Sequence, residues 1–218
     1  MRQDLNIKQK RVMVYFITAT RDLIQKDGIE NLTVRKIAAA AGYNSATLYN
    51  YFEDMEELVV FASIGHLKRY SADLEANLAS CSTAYEVYRK IYETFSRHCL
   101  SEPEIFYNLF HGKYKRKLKK VIHIYYDLFP EELGHHSENV LKMLTSGDIM
   151  ERDAAIMPSL IKEGFVKSEN AEQTINLIVR TFQSYLYDAW MEFDEYTIDE
   201  QVKMVMESFD YIMEKARK

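Results

Sequence analysis

Between residues 33 and 52 the chain reads TVRKIAAAAGYNSATLYNYF, a pattern that admits little besides two short helices joined by a tight turn. Thr33 can accept a backbone N–H as the N-cap of the first helix. Val34, Ile37, Ala38 and Ala41 then recur at helical spacing and give that helix a buried face. Gly42 follows the alanine run, where a left-handed helix ending favours a residue without Cβ. Asn44 or Ser45 caps the second helix, and Leu48 and Phe52, four residues apart, point back into the core. The alanines let the two helices approach closely, as in a helix-turn-helix.

The second helix offers Ser45, Thr47, Tyr49, Asn50 and Tyr51, with Asn44 at its start. These are short or planar hydrogen-bonding groups with no acid among them, suited to phosphate oxygens or base edges in the major groove. Arg35, in the first turn of the preceding helix, can reach a guanine or a phosphate. An alanine-rich turn by itself would equally fit a helical hairpin whose Ser, Thr and Asn are solvated surface. The wider pattern is more specific.

Gly28, then Leu32-Thr33-Val34-Arg35-Lys36-Ile37-Ala38, then Ala41-Gly42-Tyr43, Thr47-Leu48-Tyr49, Phe52 and Glu56-Glu57-Leu58 resemble the N-terminal domain of the tetracycline-repressor (TetR) family. The resemblance covers roughly residues 8–60, and beyond it the chain agrees only in length and helical character. It implies a homodimeric, ligand-released transcriptional regulator, with Thr33, Arg35, Ser45, Thr47, Tyr49 and Tyr51 at positions that contact double-stranded DNA. One position departs: the family usually has a phosphate-holding Lys before the Glu-Glu-Leu, and this chain has Met55. Weaker non-specific DNA affinity is the expectation.

The net charge of −5 alone argues against nucleic acid, but its distribution does not. Residues 1–53 carry eight Lys or Arg and five Asp or Glu, a net of +3; residues 54–218 carry twenty against twenty-eight, a net of −8. A basic head on an acidic body suits a DNA reader whose other domain must stay off DNA. The reading is therefore an all-α protein. It has a three-helix head over residues 1–53 and a helical bundle for ligand binding and dimerisation over 54–218.

Cys81 and Cys99 form no metal-ligand spacing and no disulfide framework, which fits a reduced cytoplasmic setting. The basic residues Lys8, Lys10 and Arg11 before the apolar run 12–17 raise the question of a signal peptide. The run is short, no cleavage pattern follows, and helical spacing continues through Leu23 and Ile24. No apolar stretch is long enough to span a membrane.

Along the chain, residues 8–27 read as the scaffold helix of the head, with Val12, Phe16, Ala19, Leu23 and Ile24 inward. Asp54 and Glu57 form a capping box for a fourth helix that continues to about Ala79 without interruption. A fifth helix from Ser82 or Thr83 is apolar on two sides, which places it inside a bundle. Glu102-Pro103 opens a sixth. The run KYKRKLKK over 113–120 is either a second nucleic-acid contact or the solvated face of the next helix; its brevity and the acidic body favour the latter. Residues 130–147 show no clear periodicity, and 131–136 look like a loop. Its adjacent His135 and His136 lack the spacing of a metal site, and no metal or cofactor is expected. Pro158 is expected to kink or interrupt a helix between Met150 and Glu163.

Two long amphipathic helices, residues 171–193 and 198–216, close the chain around a break at Asp194-Glu195. By resemblance they form the dimer interface, with Phe182, Leu186, Trp190, Val205, Phe209 and Ile212 as its apolar contacts; the periodicity alone fits a monomer's core equally well. Sixteen tyrosines and eleven phenylalanines point to an aromatic-walled pocket for a small-molecule effector. Candidate lining residues are Tyr92, Phe95, His98, Phe106, Phe110, Tyr125 and Tyr185, and the absence of basic residues in the apolar stripes favours a neutral or cationic ligand. The functional expectation is a repressor that binds a palindromic operator as a homodimer. The alternative is a TetR-like adaptor acting through a protein partner with weakened DNA contacts. No Ser/His/Asp or Cys/His arrangement, glycine-rich phosphate loop or metal set suggests an enzyme.

Overall fold

Asn6 and Gln9 each accept the other's backbone N–H at 3.0 Å, and this capping box starts α1 (Ile7–Asp27). The computed structural model describes residues 5–193 and 195–217; among them the chain forms twelve α-helices. In the head, α1 packs on α2 (Val34–Ala41), which packs in turn on α3 (Ser45–Leu48). Phe16, Ile17, Ile37, Leu48 and Phe52 are buried, and Phe16 stacks on Tyr43 while meeting Phe52 edge-on. Only one turn of α3 is regular helix; the chain then continues in turns, with the Phe52 N–H donating to the Leu48 carbonyl at 3.0 Å.

The fourth helix is not continuous to residue 79. It divides at Gly65 and His66 into α4 (Met55–Ile64) and α5 (Leu67–Leu78). The amides of Gly65 and His66 donate three residues back, to Ala62 and Ser63, which tightens the turn and redirects the chain. A Cβ on Gly65 would lie 2.5 Å from Arg21 Cδ, so the break makes room for a side chain of the head. Asp54 caps α4 as expected, but Glu57 reaches the Glu53 amide rather than that of Asp54.

The body is built around α6 (Ala84–Ser101), which starts at a Thr83/Glu86 capping box. It packs against α5, α7 (Pro103–His111), α10 (Ile149–Lys162), α11 (Ala171–Trp190) and α12 (Ile198–Ala216), as a helix apolar on two sides must. Between them, α8 (Leu118–Leu128) and α7 press on α4, which in turn packs on α1 of the head. Within 130–147, where the sequence shows no clear periodicity, a 3₁₀ turn at Pro130–Glu132 precedes α9 (Glu138–Thr145). Pro158 does not interrupt α10. The carbonyl it leaves unbonded, on Ala154, lies on the exposed side of the helix, where water can satisfy it. Of the break between α11 and α12, Asp194 lies outside the described residues.

Candidate nucleic-acid interface and effector core

Local capping sets the geometry of the head's outer face. Thr33 Oγ1 accepts the Lys36 amide at 3.2 Å, and Asn44 Oδ1 accepts both the amide and the hydroxyl of Thr47 at 3.0 Å. Three of the sequence-nominated contacts thus already hold the helix starts, leaving Asn44 its amide NH₂ to offer outward. Thr33→Ala should cost about 1 kcal/mol of stability and Thr33→Ser almost none. Thermal unfolding checks this, and equal losses for both would show that the hydroxyl does not act as a cap.

Arg35, Asn44, Ser45, Tyr49 and Asn50 are exposed, whereas Thr47 and Tyr51 are half-buried. Arg35 makes no ion pair among the described residues, so its guanidinium is available to a partner. The acids that follow are neutralised by the body. Lys117 pairs with Glu53 at 2.5 Å, and Lys113 pairs with Asp54 at 2.9 Å and Glu56 at 3.1 Å. Burial opposes ionisation of Asp54, yet hydrogen bonds from Lys113 and the Glu57 amide hold its carboxyl below the usual value. Within the basic run, Lys113 and Lys117 thus answer the acids at the head–body joint, and Lys119 pairs with exposed Glu151 of α10. Such exposed pairs add little stability, but they keep three negative charges from facing a phosphate backbone. A cleft of about 390 Å³ separates residues 49–53 from α8, with Lys117 and Lys120 on its rim.

Head and body are also joined from the inside. Arg21 of α1 donates to both oxygens of Glu132 at 3.0 Å and to the Tyr125 hydroxyl at 2.9 Å, and its guanidinium lies 5.1 Å from the centre of the Phe129 ring. Tyr125 donates to Glu132 in turn, and Glu132 is only 5% exposed. Tyr125 is thus part of the joint, its hydroxyl engaged by Arg21 and Glu132.

The remaining pocket candidates divide. Tyr92, Phe95, Phe106 and Phe110 converge in the body core, Phe95 meeting Phe106, Phe110 and Phe182 at centroid distances of 5.3–6.3 Å. His98 instead lies at the edge of Tyr70, its Nε2 2.8 Å from Asp73, and Tyr185 faces Ser208 on the outer side of α11 and α12. The convergent rings are tightly packed; the void beside Tyr92 and Phe182 holds about 10 Å³. His136 bonds Ser71, and no group of three or more His, Cys, Asp or Glu among the described residues could hold a metal.

Two charged residues sit in this core that sequence reasoning passed over. Arg152 and Asp153 are 4% and 6% exposed. Tyr92 donates to Asp153 at 2.5 Å, and burial, opposed by the hydroxyls of Tyr92 and Tyr88 and by Arg152, pushes the carboxyl up to about 7. The signal was available: 149, 152, 153, 156, 157 and 160 form one helical stripe, apolar except for these two.

The proposed dimer contacts are redistributed too. Phe182, Leu186, Val205 and Phe209 are buried within the protomer's own core, Trp190 packs against Tyr107 at 4.8 Å, and Ile212 is half-buried. The large apolar residues left exposed on α11 and α12 are Leu177, Tyr187, Ile198 and Tyr211, Tyr211 being 62% exposed. Each stripe was wide enough to cover the body; which residues it left over depended on how the two helices pair.

Residues 16–60 match the sequence profile of bacterial regulatory proteins of the tetR family. An uncharacterized HTH-type transcriptional regulator of Haemophilus influenzae is 25% identical over 138 residues, covering 59% of this chain and 74% of its own. Among solved structures, the chain is similar to Thermus thermophilus FadR, a TetR-family transcriptional repressor in complex with lauroyl-CoA (TM-score 0.60, 15% identity, 94% of this chain and 95% of that one). It is also similar to Bacillus subtilis FadR in complex with stearoyl-CoA (TM-score 0.56, 16% identity, 90% and 96%). At such identities the likeness is one of fold.

Proposed function

We propose that this member of the TetR family of transcriptional regulators is a homodimeric repressor, released from a palindromic operator when a small molecule enters its body. The observation that carries the reading is the outer face of the head, where Arg35, Ser45, Tyr49 and Asn50 stand exposed together while the neighbouring acids are tied to body lysines. Residues 1–53 would read DNA and 54–218 would sense and dimerise. Arg35 is the main candidate for a base or phosphate contact, and Thr33, Asn44, Thr47 and Tyr51 support the surface around it. Met55 packs half-buried against the core and offers no charge to a phosphate; exposed Lys120, across the cleft, is positioned to compensate.

Dimerisation follows from the physics of reading. One small head makes few base contacts, each worth about 1–3 kcal/mol of discrimination, and two heads roughly 34–36 Å apart double them. The open apolar residues of α11 and α12 supply a surface for the second copy. The ligand-bound FadR proteins of similar fold support a body that takes an effector.

Selection of duplexes from a random pool by the purified chain tests this reading. The wild type should enrich a palindrome with affinity falling steeply as salt rises. Arg35→Ala should lose roughly tenfold to a hundredfold in specific affinity while its melting temperature is unchanged. If the wild type enriches nothing at low salt and instead co-purifies with one protein, the adaptor reading takes its place.

A further inference from the structure

The buried guanidinium of Arg152 is the least compensated group in the body. Its one hydrogen bond goes from Nη1 to the Leu144 carbonyl at 3.3 Å; Nη2 has no partner, and among the described residues it makes no ion pair. Asp153, next in the chain, forms no ion pair with it; that carboxyl accepts from Tyr92. The guanidinium instead lies 5.8 Å from the centre of the Phe95 ring and 5.3 Å from that of Phe110. The hydroxyls of Tyr70 and Tyr126 are likewise buried; Tyr126 has no hydrogen-bond partner, and the Tyr70 oxygen has only a long contact with the Arg152 guanidinium, which leaves its own O–H unmet. Both phenols are raised by burial, and in both the opposing influence is Arg152, which places them in its field.

Each of these three groups can donate a hydrogen bond, and one carries a fixed positive charge. Leaving such donors unmet in a core is costly, most of all for the charged one. A natural chain keeps a group of this kind where something else requires it. The walls around it are aromatic, and one oxyanion would satisfy all three donors at once.

We propose that the effector is an organic anion, with an apolar body that lodges among Phe95, Phe106 and Phe110 and a carboxylate-type oxyanion held by Arg152, Tyr70 and Tyr126. This rests on the ligand-released regulator reading given above and reverses the sequence-based preference for a neutral or cationic ligand. Because the rings are in close contact, binding has to part them. Phe106 and Phe110 lie on α7, which packs on α4, so the movement would arrive at the helix that carries the head.

The probes are benzoate, 2-naphthoate, 4-phenylbutyrate and dodecanoate, each compared with its own carboxamide on the full chain by calorimetry. At least one acid should bind tenfold or more tightly than its amide. In Arg152→Met that preference should vanish while the melting temperature stays level or rises, since an apolar residue of similar volume often replaces a buried charge without loss. Amides that match the acids, a preference that survives in Arg152→Met, or no binding by any acid would overturn the assignment. The acid–amide comparison needs only the wild type, so it stands even where the variant does not fold. Release of the selected operator duplex separates the two claims. Release by amides and not acids defeats the anion and leaves the regulator intact. Failure to select any duplex counts against the regulator, while calorimetry still decides the anion.

Discussion

Arg21→Met lowers the stability of the chain by about 3 kcal/mol, which for a chain of this size is roughly a 6–12 °C fall in melting temperature. The Met side chain keeps most of the stem packing beside Gly65 but leaves Glu132, 5% exposed, without the Nη1 that reaches both of its oxygens. Stranding a buried charge costs roughly 3–5 kcal/mol, and the low end applies because Lys68 stands 3.8 Å from the same carboxylate and Arg21 is itself 23% exposed. Lys10→Met gives the contrast. Its pair with Asp127 also links α1 to α8, at 2.8 Å, but both partners are well exposed, so the change should be within about 0.5 kcal/mol. Equal effects for the two variants, measured by denaturant titration, would show that the joint is not held by the buried pair. Should Arg21→Met also loosen DNA binding with residue 35 untouched, the joint transmits between body and head.

Asp153→Asn should make the protein more stable at alkaline pH than the wild type. An ordinary aspartate releases its proton near 3.8, whereas burial holds this one on to about 7. Between those values the folded state binds the additional proton, so the carboxyl weakens folding progressively as pH rises from about 4 to 7 and by a constant amount above that. The full effect is on the order of 4 kcal/mol. An asparagine still accepts from Tyr92 and carries no charge, although its new N–H₂ takes back about 1–3 kcal/mol if unmet. The cleaner readout is therefore the difference between the two proteins as pH changes: the advantage of the variant should grow by roughly 3 kcal/mol between pH 5 and pH 8. Other titrating groups, such as His111, which burial lowers to about 4, are common to both proteins and cancel. Parallel stability curves would mean that Asp153 does not hold its proton to neutral pH.

Much of the head was legible from local chemistry. A cap at Thr33, alanines, a glycine that must be left-handed at φ +79° and a second cap at Asn44 are all decisions made within a few residues, and the structure makes each of them. The two-sided apolar pattern of α6 likewise implied its central place. The continuous helix over 54–79 was misjudged because nothing local forbids it: Gly65 has φ −56°, and its role is to leave space for an arginine 44 residues earlier. Pro158 leaves α10 uninterrupted, and the carbonyl it leaves unbonded lies where water can reach it.

By itself, then, the sequence determined most of the helical segments, where the tight turn of the head lies and how charge is shared between head and body. Those properties are set by spacings of three or four residues and by summed composition. Only the tertiary structure decided which aromatics meet, which apolar residues of α11 and α12 remain open, and that Arg21–Glu132 and Arg152 are buried. Each of those depends on contacts between residues far apart in the chain, and a side chain's chemistry does not reveal whether its partner will be water, a carboxylate or a ring.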